Sequence, residues 1–345
     1  IIDTDGGVSL TQAQAGSGAI TFDTISASGA VSINLGTGTG AGDVTITAVT
    51  TTGAFSLVGD QVSDLALRNI TASAGLTIAM GSGSITASSL STSGLLSITK
   101  AIGSGETAVI QDLHVSNAAI NLTGGSGHFS AQVIDTGSFT FDASSQTNTN
   151  GTGVDEAHNL GIFSASGTTT ISLGANTHLV STAIVVASAA ATITKGTGSS
   201  DLTVNVGITA DGAITIAGNG SGTISVSTIG TAGGFNFNGA GMSNGGEYFS
   251  ANTITTTSGN VTFNYGDGSN GFIDVSSIQT VSGFTLTGAS LTTGDIVMAS
   301  LSATQGININ VGGMSGTVSA VAVDTDGAFV FNAGGAPSLK LDVET

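Results

Sequence analysis

A glycine-centred phrase, I-x-x-x-G-x-Φ-x-Φ with Φ a large apolar residue, returns about every 23 residues from one end of the chain to the other. Its clearest copies are Ile25-Ser-Ala-Ser-Gly29-Ala-Val31-Ser-Ile33 and Ile208-Thr-Ala-Asp-Gly212-Ala-Ile214-Thr-Ile216. Further copies begin at Val49, Leu90, Val133, Ile229 and Val323. A period of roughly 20–50 residues marks a solenoid or an array. Anchors for the glycine position fall at Gly6, Gly29, Gly53, Ala74, Gly94, Asn117, Gly137, Gly167, Ala189, Gly212, Gly233, Gly259, Ser282, Gln305 and Gly327. The copies around Asn117 and Gly259 need a slip of one residue.

Within each copy the apolar residues alternate, as in Val31 and Ile33, Phe139 and Phe141, or Phe235 and Phe237. A period of two places such side chains on one face of a strand. Valine and threonine between them suit a pleated surface. A second alternating run lies upstream, as in Ile20, Phe22 and Ile25. Glycine-rich pieces such as Gly36 to Gly42 and Gly81 to Gly83 read as turns, where glycine supplies positive φ. Helix is disfavoured by the Ser, Thr, Gly and Val content. A unit this short cannot bury an apolar side alone, whereas stacked units bury a continuous core. The expectation is an all-β fold: an elongated β-solenoid (β-helix) of about 15 coils with a period near 23 residues, forming a single repeat domain over 1–345. A string of sandwiches predicts linkers that are absent. A propeller needs about 40–50 residues per blade. Two intervals are long, giving loop insertions at about 143–160 and about 239–248. Insertions in solenoids map to loops on one face.

Net charge is −18, from 22 acidic and 4 basic residues. The basic ones are Arg68, Lys100, Lys195 and Lys340. So acidic a chain is not expected to bind nucleic acid, which requires a basic face. Mean hydropathy is +0.39, above the range of disordered chains. There is no cysteine, hence no disulfide framework or zinc-thiolate site. No apolar run approaches the roughly 18 residues of a transmembrane segment. The chain opens inside a repeat unit, which predicts a processed product or a piece of something longer.

Catalytic acids on a parallel solenoid should recur at one coil phase, and here the acids are scattered. With four separated basic residues and four histidines (His114, His128, His158, His178) lacking zinc-type spacing, no enzyme is expected. Calcium needs six to eight oxygen ligands, about. Candidate ligands are Asp3, Asp5, Asp267, Asp324 and Asp326, each in a flexible, oxygen-rich Asp/Gly segment; ordinary turns are the plainer alternative. Regular Thr-x-Thr columns would suggest ice binding. Thr168-Thr-Thr170 and Thr255-Thr-Thr257 read along the chain as local and not recurrent at one phase.

The phrases Ile-Ser-Ala-Ser-Gly-Ala-Val-Ser-Ile and Leu-Ser-Thr-Ser-Gly-Leu-Leu-Ser-Ile resemble those of large bacterial β-strand-repeat surface proteins, the S-layer-like and haemagglutinin-type adhesins. The resemblance implies secretion to the cell surface, a β-solenoid, and a role in layers, filaments or adhesion. The leading expectation is a non-enzymatic structural protein that assembles with copies of itself, end to end, into a layer, sheath or filament. The alternative is an adhesin stalk presenting its inserted loops to a glycan or cell-surface partner. Ile2-Asp-Thr-Asp-Gly-Gly-Val8-Ser-Leu10 nearly restates Val323-Asp-Thr-Asp-Gly-Ala-Phe329-Val-Phe331. Neither stretch looks like a polar cap, so an open strand edge is expected.

Overall fold

A computed structural model describes residues 1–12, 18–36, 42–59, 64–101, 106–125, 127–147, 157–242, 248–265, 272–288, 294–312, 316–334 and 338–341. Among these residues there are 28 strands and no helix. The chain divides into two compact units, Ile1–Ser166 and Gly167–Thr345. The fold is an all-β parallel solenoid of about 12 turns with a period near 23 residues, slightly fewer than the 15 that the anchors predict.

Parallel register makes every coil repeat the one before. In the first unit Ile2, Ile25, Val49, Ile70, Leu90, Leu113, Ile134 and Phe163 stand one above another. In the second the same column runs Ile184, Ile208, Ile229, Ile254, Ile278, Leu301 and Val323. This column is the first residue of the phrase. The copy placed at Val133 is off by one, since Ile134 takes the buried position and Val133 is half-exposed. The turns after Leu113 and Ile134 are one residue shorter than those before them, so the glycine and the apolar residue cannot both keep the usual spacing.

The second strand of each coil supplies the alternating pair. Its first member runs Ala191, Ile214, Phe235, Val261, Phe284, Ile307 through most of the second unit. Its partner two residues on runs Ile193, Ile216, Phe237, Phe263, Leu286, Ile309. All of these are buried. Burying each large aliphatic or aromatic side chain is worth about 1.5–3 kcal/mol. Aromatic rings gather where phenylalanine falls in adjacent coils: Phe237 lies 4.8 Å from Phe249 and 5.8 Å from Phe263.

The anchor glycine answers to a different need from the one expected. Its φ is not positive at Gly29, Gly53, Gly212 or Gly233; the positive-φ glycines are others, including Gly36, Gly83 and Gly220. What forbids a side chain at the anchor is the neighbouring coil. A Cβ on Gly53 would stand 2.5 Å from the Ala30 nitrogen, and one on Gly212 2.6 Å from the Ala189 carbonyl carbon. At Gly29, Gly53, Gly212 and Gly233 the coils close on one another at this corner, and only a bare Cα fits there.

Gly230 lies in the same unit and offers a control, because a Cβ there meets nothing nearer than the Thr209 methyl at 3.6 Å. Gly212→Ala is expected to lower unfolding stability in urea by about 1–3 kcal/mol, the usual cost of overpacking. Gly230→Ala is expected to be neutral or to stabilise by up to about 1 kcal/mol.

Candidate functional site

The corner occupied by the anchor glycine carries a polar ladder. Two residues before the glycine, a buried threonine recurs as Thr51, Thr92, Thr231 and Thr280. Its hydroxyl accepts from the backbone N–H two residues on, at 3.0 Å from Gly53, Gly94, Gly233 and Ser282 in turn. Thr4 and Thr325 accept in the same way from Gly6 and Gly327 at 3.1 Å. The hydroxyl also donates across the coils: Thr51 to the Gly29 carbonyl, Thr231 to that of Gly212, and Thr280 to that of Gly259 at 3.0 Å. The phrase is therefore better written I-x-T-x-G wherever the third residue is not alanine or valine. This threonine is a position that sequence reasoning missed.

Outside the same corner each unit has a shallow open groove. In the first unit it measures about 410 Å³ and is bordered by Ser91, His114, Asp135, Gly137 and Ser166. His114 and Asp135 are stacked one coil apart, 3.7 Å between Nδ1 and Oδ2, and both are exposed. In the second unit a groove of about 490 Å³ is bordered by Val185, Thr209, Asp211, Gly230 and Thr255. These are matching columns: Ser91, His114 and Asp135 in one unit, Val185, Thr209, Gly230 and Thr255 in the other. The grooves hold hydroxyls, one carboxylate each and an imidazole, a set suited to hydrogen bonding with an uncharged ligand.

Two of the chain's few cations are wholly buried at a second corner. Lys100 and Lys195 have no exposed surface. Each stands two residues after the second apolar member of its phrase, where Met80 and Leu122 stand in the coils flanking Lys100. Lys100 Nζ donates to Glu106 Oε2 at 3.0 Å and to the Ala101 carbonyl at 2.7 Å. Lys195 Nζ donates to the Ser200 carbonyl at 3.1 Å and, one coil on, to the Ser221 carbonyl at 3.0 Å. These ammonium groups tie down backbone carbonyls at the strand end and in the turns. Around Lys195 the turns interlock further: Asn219 Nδ2 donates to the Lys195 carbonyl at 3.0 Å, and His178 meets Asp201 at 2.9 Å.

The calcium candidates are not brought into one cluster. Asp3 and Asp5 are exposed, and the register sets Asp3 beside Ser26, not beside another carboxylate. Asp324 is exposed beside Ser302, and Asp326 is exposed two residues further. Asp267 lies outside the described residues. Among the described residues no three His, Asp or Glu side chains converge closely enough to hold a metal ion. Of the inserted loops, 148–156 and 243–247 lie outside the described residues. His158, at the end of the first, is buried in the core, where Nδ1 accepts from the Phe129 N–H at 3.1 Å and the ring packs 5.1 Å from Phe141. Among the described residues no helix is long and apolar enough to cross a membrane.

Burial pulls the Lys100 ammonium below its ordinary pKa of 10.5; the hydrogen bond and charge of Glu106 and the charge of Asp64 oppose the shift. Between the lowered value and 10.5 the unfolded chain binds more protons than the folded one, so stability rises with pH across that window. Lys100→Met, with Met80 already at the same position one coil away, should be neutral or stabilising near neutral pH. Its advantage should shrink as pH climbs toward 10.5. Glu106→Ala leaves the buried charge with one fewer partner and should cost about 1–3 kcal/mol, read from urea midpoints.

Comparison with known protein families, with curated proteins and with solved structures finds no match for this chain. What the geometry supports is a parallel β-solenoid repeat protein.

Proposed function

We propose that the chain is a non-enzymatic structural protein of the cell surface or extracellular space that assembles with copies of itself into a layer, sheath or filament. The observation that carries this reading is that the apolar columns of the phrase continue in parallel register to the strand Ala328–Ala333. Phe329 stacks on Ile307 and Phe284, which are each 1% exposed, so the face it presents along the stack is apolar. A strand edge beside apolar side chains is a template for another coil, whichever chain supplies it. The strand Val8–Thr11 offers the complement. Val8 and Leu10 hold the same places in the phrase as Phe329 and Phe331, so a second copy stacked head to tail continues the register. Such a heterologous contact does not close on itself and generates an open polymer.

The resemblance to bacterial surface-layer and adhesin repeats supports the same reading, as does a surface built of hydroxyls and carboxylates with few sites for trypsin-like proteases. Calcium, if it takes part, acts at the exposed Asp3, Asp5, Asp324 and Asp326, which lie close in sequence to the two complementary edges. An adhesin stalk remains the second reading, with the inserted loops as its contact surface.

Electron microscopy and sedimentation of the purified chain, with and without a chelator, test the proposal. Ordered end-to-end polymers are expected, and Phe329→Asp should abolish them while leaving the β-sheet circular dichroism unchanged. Monodisperse particles under every condition, with or without calcium, would sink the assembly reading.

A further inference from the structure

The outward side chains of the second strand form a two-column lattice in the second unit. One column runs Thr170, Thr192, Thr215, Asn236, Thr262, Thr285 and Asn308. The other, two residues on, runs Ser172, Thr194, Ala217, Asn238, Asn264, Thr287 and Asn310. Thr170 was read along the chain as part of a local run. The register corrects that reading: it begins a column that recurs once per coil. The recurrence is hidden in the sequence because the steps vary, at 22, 23, 21, 26, 23 and 23 residues.

Three properties of this face point to a ligand. It is uncharged: neither column contains Asp, Glu, Lys or Arg, although the chain as a whole carries a net charge of −18. Its hydrogen-bonding capacity is unspent. Thr192, Thr194, Thr215, Thr262, Asn264, Thr285, Thr287, Asn308 and Asn310 make no side-chain hydrogen bond within the described protein, while the corner threonines Thr231 and Thr280 make two and three. It is regular in two directions, since the pairings through these columns carry no register shift from Thr170 to Asn310 save beyond Ala217 and Asn238. Neighbouring coils set the groups about 4.8 Å apart, and neighbouring columns about 6.6 Å apart. Threonine holds one or two χ1 rotamers, so the net is largely preformed.

We propose that this face binds ice. The oxygen atoms on a prism face of hexagonal ice repeat on a rectangular net close to these dimensions. Threonine hydroxyls and asparagine amides can exchange hydrogen bonds with that net, and the threonine methyls order the water between them. A crystalline polysaccharide is the competing occupant. Its sugar rings favour aromatic platforms, and every Phe stacked behind this face from Phe235 to Phe284 points into the core. A second copy of the face would meet matching donors and acceptors with no apolar surface between the coils to bury.

The test is thermal hysteresis and ice-crystal morphology of the purified full chain, beside a pull-down on crystalline cellulose and chitin and a sedimentation run. Faceted ice and measurable hysteresis are expected. The double variant Thr215→Lys, Thr262→Lys should lose most of that hysteresis with its circular dichroism unchanged. Thr203→Lys, on a different outward column, should keep it. Unfaceted ice and no hysteresis would overturn the proposal. So would hysteresis untouched by the double variant, or retention on polysaccharide without hysteresis, or face-to-face dimers abolished by the same variant. End-to-end polymerisation is read separately through Phe329→Asp, so either proposal can fail without the other.

Discussion

Backbone amides along these strands pair with carbonyls of the coils before and after them, and that pairing is parallel through each unit. Everything else is fitted to it. A register shared from coil to coil forces identical positions to stack, so an inward residue needs an inward neighbour and a corner must turn the same way each time. Coils approach one another closely at the anchor glycine, where the backbone leaves no room for a Cβ. The corner threonine then supplies what the sharp turn takes away, with its hydroxyl bonded to an N–H in its own turn and a carbonyl in the adjacent coil. Register, glycine and threonine form one arrangement seen at three scales.

The parts of this arrangement that lie inward were legible in the sequence. Large apolar residues at every second position cannot be hidden among polar ones, and Ile25, Val31 and Ile33 announce a buried strand pair directly. The role of the glycine was not legible, because a turn needing positive φ and a turn touching its neighbour both ask for glycine. Only the distance from Gly53 to Ala30 separates them. The corner threonines were obscured because Ala72 and Ala210 take their place in some coils and because serine and threonine are abundant everywhere. The outward threonines were hidden for another reason: surface positions tolerate slips in spacing, and register alone restores their alignment.

The lysines show how a chain this poor in cations uses them. A buried ammonium is costly unless several oxygens surround it, and the turn carbonyls of a solenoid are an unusual supply of such oxygens. Lys195 bonds carbonyls from two successive coils, so it acts as a pin through the turn region where backbone pairing lapses. Lys100 does this within its own turn and borrows the carboxylate of Glu106. Both sit where aliphatic residues stand in other coils, so the long alkyl stem continues the core while the head reaches the turn.

The hydrogen bonds between coils run along the stacking direction within each unit, and this has a mechanical consequence. Tension applied along that direction loads the pairing one coil at a time, as in opening a zipper, instead of shearing a whole sheet at once. Each coil released adds up to about 80 Å of contour, at roughly 3.5 Å for each of its near 23 residues. The coils joined by Lys195 are held by its bonds to two turns as well as by their strand pairing. A chain of this kind lengthens in steps under load and keeps the remaining coils folded, each still templating the return of its neighbour.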